Sequence, residues 1–476
     1  MSSPGVGVSN GRLGRDIFGA RELPSCVSLH RGIKVEKVRR RFCTATLILV
    51  LLGVALSPGV SARTENATVS TPEAGGSVAH LRYREVDFAP LAFEISVEGG
   101  ARFAKEPALA GQRVFRGRFR LGTDTNQFVP IAWDINQRKL YVDLNRNGDL
   151  TDDPAGVLTA PGKGLQLFRG IPLAFPSTES AYRVLVDVHV FEQNENQPGE
   201  IPRVFLYVRS LWDGPVELNG RKWYLAVIDN PDGRIGPATS VRAVSDRMVL
   251  RPWEDRDKTS LWWHATLEHV HALSHVKLVN FPYRWAGNAE VFDAFNLPAR
   301  LYFQNQAYRL DCRVEPADGS ANLAVSFVRF DPPLGKIRLD GENIRRVVLD
   351  NGAATDGFAA VLDSPVAEVA VPAGAYPRQI VLLQHAGFTN LAVGLATNRL
   401  VVAEGTPASF SAGGPLRNGV ALSPDPSGGA RIRLDYQLTN AAGIPFCLAG
   451  QGEKSPPRLQ IRQGDKLVAQ GQFEFG

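Results

Sequence analysis

Methionine and cysteine are scarce in this chain of 476 residues. Met1 and Met248 are the only methionines, and of four cysteines only Cys312 and Cys447 lie beyond residue 62. Two cysteines cannot staple a small disulfide-dense scaffold or build a Cys-rich zinc ribbon. The chain also lacks a Gly-x-Ser-x-Gly elbow, a Gly-rich phosphate loop, a dinucleotide fingerprint and a His-Glu-x-x-His pair. Their absence removes the sequence signatures of the commonest hydrolases, nucleotide enzymes and zinc proteases. Long apolar stretches with a 3.6-residue period are nearly missing, so no helical bundle is expected. The apolar run at 42–56 falls short of the ~20 residues that span a bilayer.

That run has the layout of a secretory signal. Lys37-Val-Arg39-Arg40-Arg41 precedes it, Pro58 and Gly59 follow it, and Val60-Ser61-Ala62 supplies small residues at a cleavage site. A retained membrane anchor is the other reading, and it is the only route to a membrane that the sequence offers. No cysteine stands at the cleavage site to carry a lipid. Residues 1–36 are polar and rich in Gly and Arg, and a start at Val35 or Val38 would give an ordinary signal length. Residues 1–62 carry nine Lys/Arg against three Asp/Glu, whereas the rest of the chain carries 44 against 45. The net charge of +5 therefore belongs to the targeting segment, and no basic surface for nucleic acid is expected. The expected location is secreted, periplasmic or cell-surface. Export permits a disulfide between Cys312 and Cys447; two buried thiols are the alternative.

Beyond residue 62 the sequence reads as all-β. Short alternating segments recur at 113–121, 128–133, 139–143, 182–191, 203–208, 222–228 and 307–314, split by Gly, Pro, Asn and Asp turns. The best helical candidate is 264–276. Composition suggests a linker at 63–74, an aromatic-rich β region at 75–330, a small module at 331–387 and a final β domain at 388–476. Pro372-Ala-Gly374-Ala-Tyr376 before a strand resembles small transthyretin-like and carboxypeptidase-regulatory sandwich modules. The last region, with strands at 431–438, 458–462 and 470–475, suggests an immunoglobulin-like sandwich without its Cys…Trp…Cys pattern. Tandem β-sandwich domains are the expected architecture.

One stretch carries chemistry: Asp143-Leu-Asn145-Arg-Asn147-Gly148-Asp149-Leu-Thr151-Asp152-Asp153. Oxygen-bearing side chains at positions 1, 3 and 5, a Gly at 6, and further oxygens at 9 to 11 suit Ca²⁺, a hard ion that takes six to eight oxygen ligands. The stretch resembles EF-hand and dockerin loops. That resemblance implies Asp143, Asn145, Asn147, the Asp149 carbonyl and Thr151 as ligands. The acid normally at position 12 is replaced by Pro154, so Asp153 is expected to close the site, with Asp152 beside it. The loop follows a strand rather than a helix, so the expected role is to pin a hairpin rather than to switch. A solvated Asx-turn without metal is the alternative.

A second turn, Asp229-Asn230-Pro231-Asp232-Gly233, lacks the later oxygens at the required spacing. Together with 139–143 and with 307–311 before Asp318-Gly319, it makes a weak repeat of strand and Asp-Gly turn. Recurrent hairpin chemistry explains that repeat, and duplication is the alternative. Four histidines crowd Trp262-Trp263-His264-Ala-Thr-Leu-Glu268-His269-Val-His271-Ala-Leu-Ser-His275. On a helix Glu268, His271 and His275 share a face, which is the basis for a metal-dependent hydrolase reading. Trp253, Trp262, Trp263, Tyr283 and Trp285 support a carbohydrate-binding or carbohydrate-active reading, and the pairs Asp255/Asp257 and Glu290/Asp293 are conceivable glycosidase acids. The leading expectation is an exported, non-catalytic calcium-binding β protein with a structural, adhesion or binding role. Its expected partners are the calcium ion and a glycan or another surface protein.

Overall fold

The computed structural model describes residues 76–472, apart from 88, 110–112, 122–127, 162–165, 176–180, 192–201, 238–245, 257–293, 318–320, 352–356, 385–390, 397, 425–431 and 450–457. The described chain is all-β, with only two short 3₁₀ turns and no α-helix. Among the described residues no helix is long and apolar enough to cross a membrane. The helical candidate at 264–276 lies outside the described residues.

The first sixteen strands position everything that follows: β1 Ser77–Glu85, β2 Leu91–Gly99, β3 Val114–Arg120, β4 Phe128–Asp134, β5 Lys139–Val142, β6 Val157–Thr159, β7 Gln166–Phe175, β8 Tyr182–Phe191, β9 Arg203–Val208, β10 Ser210–Leu218, β11 Arg221–Ile228, β12 Arg247–Pro252, β13 Phe295–Asn296, β14 Arg300–Phe303, β15 Gln306–Glu315 and β16 Asn322–Phe330. Eight of them form one sheet in the order β6-β5-β4-β3-β2-β9-β8-β7. It curls until its ends share a core. Trp133 on β4 donates its indole N–H to the Gln166 Oε1 at the start of β7 (2.8 Å). Ile131, Leu140 and Val142 from one end join Phe168, Ile171 and Phe175 from the other in the same apolar cluster. Each large side chain buried there contributes roughly 1.5–3 kcal/mol.

The remaining early strands begin a fifteen-stranded sheet, β13-β12-β11-β10-β1-β16-β15-β14, which continues through Phe358–Asp363, Ile344–Asp350, Arg378–Leu383, Leu391–Ala396, Pro445–Ala449, Ile432–Thr439 and Arg417–Pro424. β14 and Phe358–Asp363 run parallel, with Arg300 opposite Phe358. Hydrogen-bonded strands thus link residues on both sides of 331 and of 388. Two cores lie along this sheet. One is shared with the eight-stranded sheet, and the other is built on Ile337, Val347, Leu349, Tyr376 and Val381. In the Pro-x-Gly-x-Tyr segment, buried Tyr376 donates its hydroxyl to the Pro372 carbonyl at 2.7 Å and pins that corner.

β11 is buried from Trp223 to Ile228. Trp223 on it meets Phe303 edge-on at 4.6 Å. Tyr182 at the start of β8 stacks on Phe175 and meets Trp212 on β10 edge-on at 5.8 Å, which fixes its ring at the junction of the two sheets. Of the two readings of the cysteines, the disulfide is the one that fails. Cys312 on β15 is a free thiol, and it sits six strands along the sheet from Pro445–Ala449, the strand carrying Cys447. At ~4.8 Å per strand that is ~29 Å along the sheet, far beyond the ~7 Å reach of a disulfide.

Candidate metal loop

β5 ends at Val142, and Asp143 is the first residue past the sheet. Its side chain is fully buried (0% exposed). One carboxylate oxygen accepts the Asn147 N–H at 3.1 Å and the other accepts the Gly148 N–H at 2.9 Å. The chain makes that turn by placing Arg146 (φ 58°) and Gly148 (φ 82°) in the left-handed region, which is easy for Gly and unusual for Arg. Arg146 is held there from outside. Its guanidinium donates to the Ala174 carbonyl on β7 at 3.2 Å and lies over the Phe175 ring.

Further side chains repeat a two-residue pattern. Asn145 Oδ1 accepts the Asn147 N–H (3.0 Å), Asn147 Oδ1 accepts the Asp149 N–H (2.7 Å), and Asp149 Oδ1 accepts both the N–H (2.8 Å) and the hydroxyl (2.5 Å) of Thr151. Asn147 also donates from its amide to Asp152 at 2.7 Å. Asp153, 8% exposed, turns back and accepts the Leu144 N–H at 2.9 Å. The loop therefore closes on itself through Asp153, one residue before Pro154.

Asp143 and Asp153 form the buried wall, while Asn145, Asn147, Thr151 and Asp152 stand on the solvent side. Burial, opposed by the Leu144 and Asn145 N–H groups and reinforced by the charges of Asp152 and Asp143, raises the Asp153 carboxyl above the usual carboxylate range. Among the described residues no three His, Cys, Asp or Glu side chains converge on one point. The donor set for a cation here is accordingly two buried carboxylates supplemented by amide, hydroxyl and carbonyl oxygens, which is the chemistry of a hard ion.

The loop exit bends as the missing position-12 acid requires. Pro154–Gly156 forms a 3₁₀ turn, and Gly156 lies so close to β5 that an added Cβ would stand 2.2 Å from the Val142 carbonyl oxygen. Gly156→Ala is expected to cost roughly 1–3 kcal/mol by overpacking, seen as a lower urea midpoint with an unchanged slope. An unchanged midpoint would mean that the exit is not held against β5.

A neighbouring segment was not legible as part of the site. The Ala104 N–H donates to the Gly148 carbonyl (2.8 Å), the Leu150 N–H donates to the Lys105 carbonyl (3.0 Å), and the Lys105 ammonium lies 3.3 Å from Asp149. Leu150, 2% exposed, packs with Ala132, Tyr141 and Phe103. Glu106 anchors this segment to β3 through Nε and Nη2 of Arg116, at 2.7 and 2.6 Å, and that hydrogen bonding holds its carboxyl below the ordinary range.

The other candidates fare unevenly. Asp229 and Asp232 stand in a second turn at the end of β11. Asp311 lies mid-strand in β15 and opens no turn, so the third member of the repeat is not equivalent; Asp318 and Gly319 lie outside the described residues. Trp253 has the Lys222 ammonium 4.1 Å and the Arg256 guanidinium 4.9 Å from its ring centre, so it is not a bare platform. Asp255 is buried and pairs with Arg345 at 3.5 Å. Asp257, Trp262, Trp263, His264, Glu268, His269, His271, His275, Tyr283, Trp285, Glu290 and Asp293 lie outside the described residues. No family model matches the chain, and no curated protein or solved structure matches it either.

Proposed function

We propose that this chain is an exported, non-catalytic calcium-binding β protein with a structural or adhesive role, whose loop at 143–153 holds Ca²⁺. The observation that carries this reading is the Asp143 carboxylate. It is fully buried at the end of a strand, takes one backbone N–H on each oxygen, and has Asp153 beside it. Each oxygen keeps a free lone pair, and two buried carboxylates close together favour a cation between them. Asp143, Asn145, Asn147, the Asp149 carbonyl, Thr151 and Asp153 would hold the ion, which would offset the charge of the two buried carboxylates. Because strands rather than helices flank the loop, binding stiffens the β5–β6 connection instead of moving an element. Affinity of order 10⁻⁴ M suffices where calcium is near millimolar.

Hydrogen exchange tests this on the full chain. Saturating CaCl₂ is expected to slow exchange of the amides at 144–153 by an order of magnitude or more relative to chelator, with little change across β8 and β9. Equal exchange in the two conditions would remove the ion from the loop.

A further inference from the structure

The turn after β11 repeats the wiring of the turn after β5, with one difference that points to a ligand. In both, the first residue past the strand is a fully buried aspartate, Asp143 or Asp229. In both, the N–H of the next residue donates to a distant closing aspartate. Leu144 donates to Asp153 at 2.9 Å, and Asn230 donates to Asp246 at 2.8 Å. In both, an Asx-Gly pair turns the chain. Asn147 accepts the Asp149 N–H (2.7 Å) and Asp232 accepts the Arg234 N–H (3.0 Å), and the following glycines are left-handed (Gly148 φ 82°, Gly233 φ 88°). An apolar residue then packs inward, Leu150 or Ile235. Asp246, immediately before β12, also accepts the Gly236 N–H at 2.7 Å, so its carboxylate clasps both ends of 230–236 and brings Asp232 into the same turn.

The difference lies in the first aspartate. Asp143 accepts two backbone N–H groups, whereas both oxygens of Asp229 are buried without a hydrogen-bond partner. A second buried polar atom faces it. Tyr182, 2% exposed, lies within the field of Asp229, Asp246 and Asp232, and its hydroxyl too meets no partner at hydrogen-bonding geometry. Its ring is fixed by Phe175 and Trp212, so the hydroxyl cannot turn away. A buried carboxylate with no donor and two acidic neighbours requires either a proton or a cation to be tolerated.

We propose that Asp229, Asp232 and Asp246 hold a second calcium ion, with the Tyr182 hydroxyl facing it and the half-buried Asp232 moving inward to complete the carboxylate set. Oxygen-only donors on an irregular turn suit Ca²⁺ over Mg²⁺, which demands near-octahedral geometry. The site uses none of the residues of the first loop, so the two stand or fall separately.

The test is calcium stoichiometry by equilibrium dialysis of the chelator-stripped full chain against CaCl₂. Two ions per chain are expected, falling to one in Asp143→Asn and to one in Asp229→Asn. Asp232→Asn, at a partly exposed position that leaves the fold intact, is expected to weaken one of the two affinities about tenfold. A first loop that binds nothing gives one ion in the parent and in Asp143→Asn and none in Asp229→Asn, which still supports the second site. Unchanged stoichiometry in Asp229→Asn with unchanged affinities in Asp232→Asn overturns it and leaves a shared proton between Asp229 and Asp246.

Discussion

Asp143→Ala is expected to lower stability by roughly 1–3 kcal/mol in chelator and to lose the calcium response of its loop. The first effect needs no metal. The substitution leaves the half-buried Gly148 N–H without its acceptor, while the Asn147 N–H keeps Asn145 Oδ1 as its other acceptor, and one unsatisfied donor costs about 1–3 kcal/mol. The second effect measures the ion. Binding to the native state alone adds about 1.4 kcal/mol at ten times the dissociation constant and about 2.7 at a hundred times. For a unit of ~150–250 residues each kcal/mol moves the melting temperature by about 2–4 °C. Scanning calorimetry with and without chelator separates the two contributions. A variant that melts lower yet gains as much from calcium as the parent would locate the ion elsewhere.

The second large effect falls on Asp246, and its sign is opposite to that of its neighbour. Asp246→Ala is expected to cost roughly 2–5 kcal/mol, because it leaves the buried Asn230 N–H and the half-buried Gly236 N–H unpaired and opens a void. Asp229→Asn in chelator is expected to gain on the order of 1–3 kcal/mol, since without an ion the folded state must take up a proton at Asp229, whose carboxyl burial and Asp246 push up, whereas a neutral amide of similar shape needs none. Two acids in one turn thus differ by whether they accept N–H groups. Urea titrations of the two variants check this, and destabilisation by Asp229→Asn in chelator would show that its carboxyl is already satisfied.

Alternation made the strands readable. Segments 182–191 and 203–208 coincide with β8 and β9, and 222–228 and 307–314 fall within a residue of β11 and β15. These stretches bury one or both faces, so their patterns are strong. Pairing was not readable, because it depends on contacts distant in sequence. Nothing local indicates that β14 runs parallel to Phe358–Asp363. The first loop was readable because its oxygens lie within eleven consecutive residues. The closing acid of the second was not, since Asp246 follows Asp232 by fourteen residues and only the return of the chain into β12 brings them together. Lys105 was invisible for the same reason, and its link to Asp149 comes from a bridge between separate segments.

β6 has only three residues, Val157–Thr159, and it is the last strand on its side of the eight-stranded sheet. Its apolar Val157 is 43% exposed. A short edge strand leaves few free backbone groups to recruit a foreign strand, and it shields the longer strand behind it. The chain reaches β6 only through the loop at 143–153 and the 3₁₀ turn that follows. The ion proposed there therefore has a colloidal consequence. On that proposal, depleting calcium would loosen this short edge strand, and the backbone of Tyr141 and Leu140, paired to it until then, would become a sticky edge.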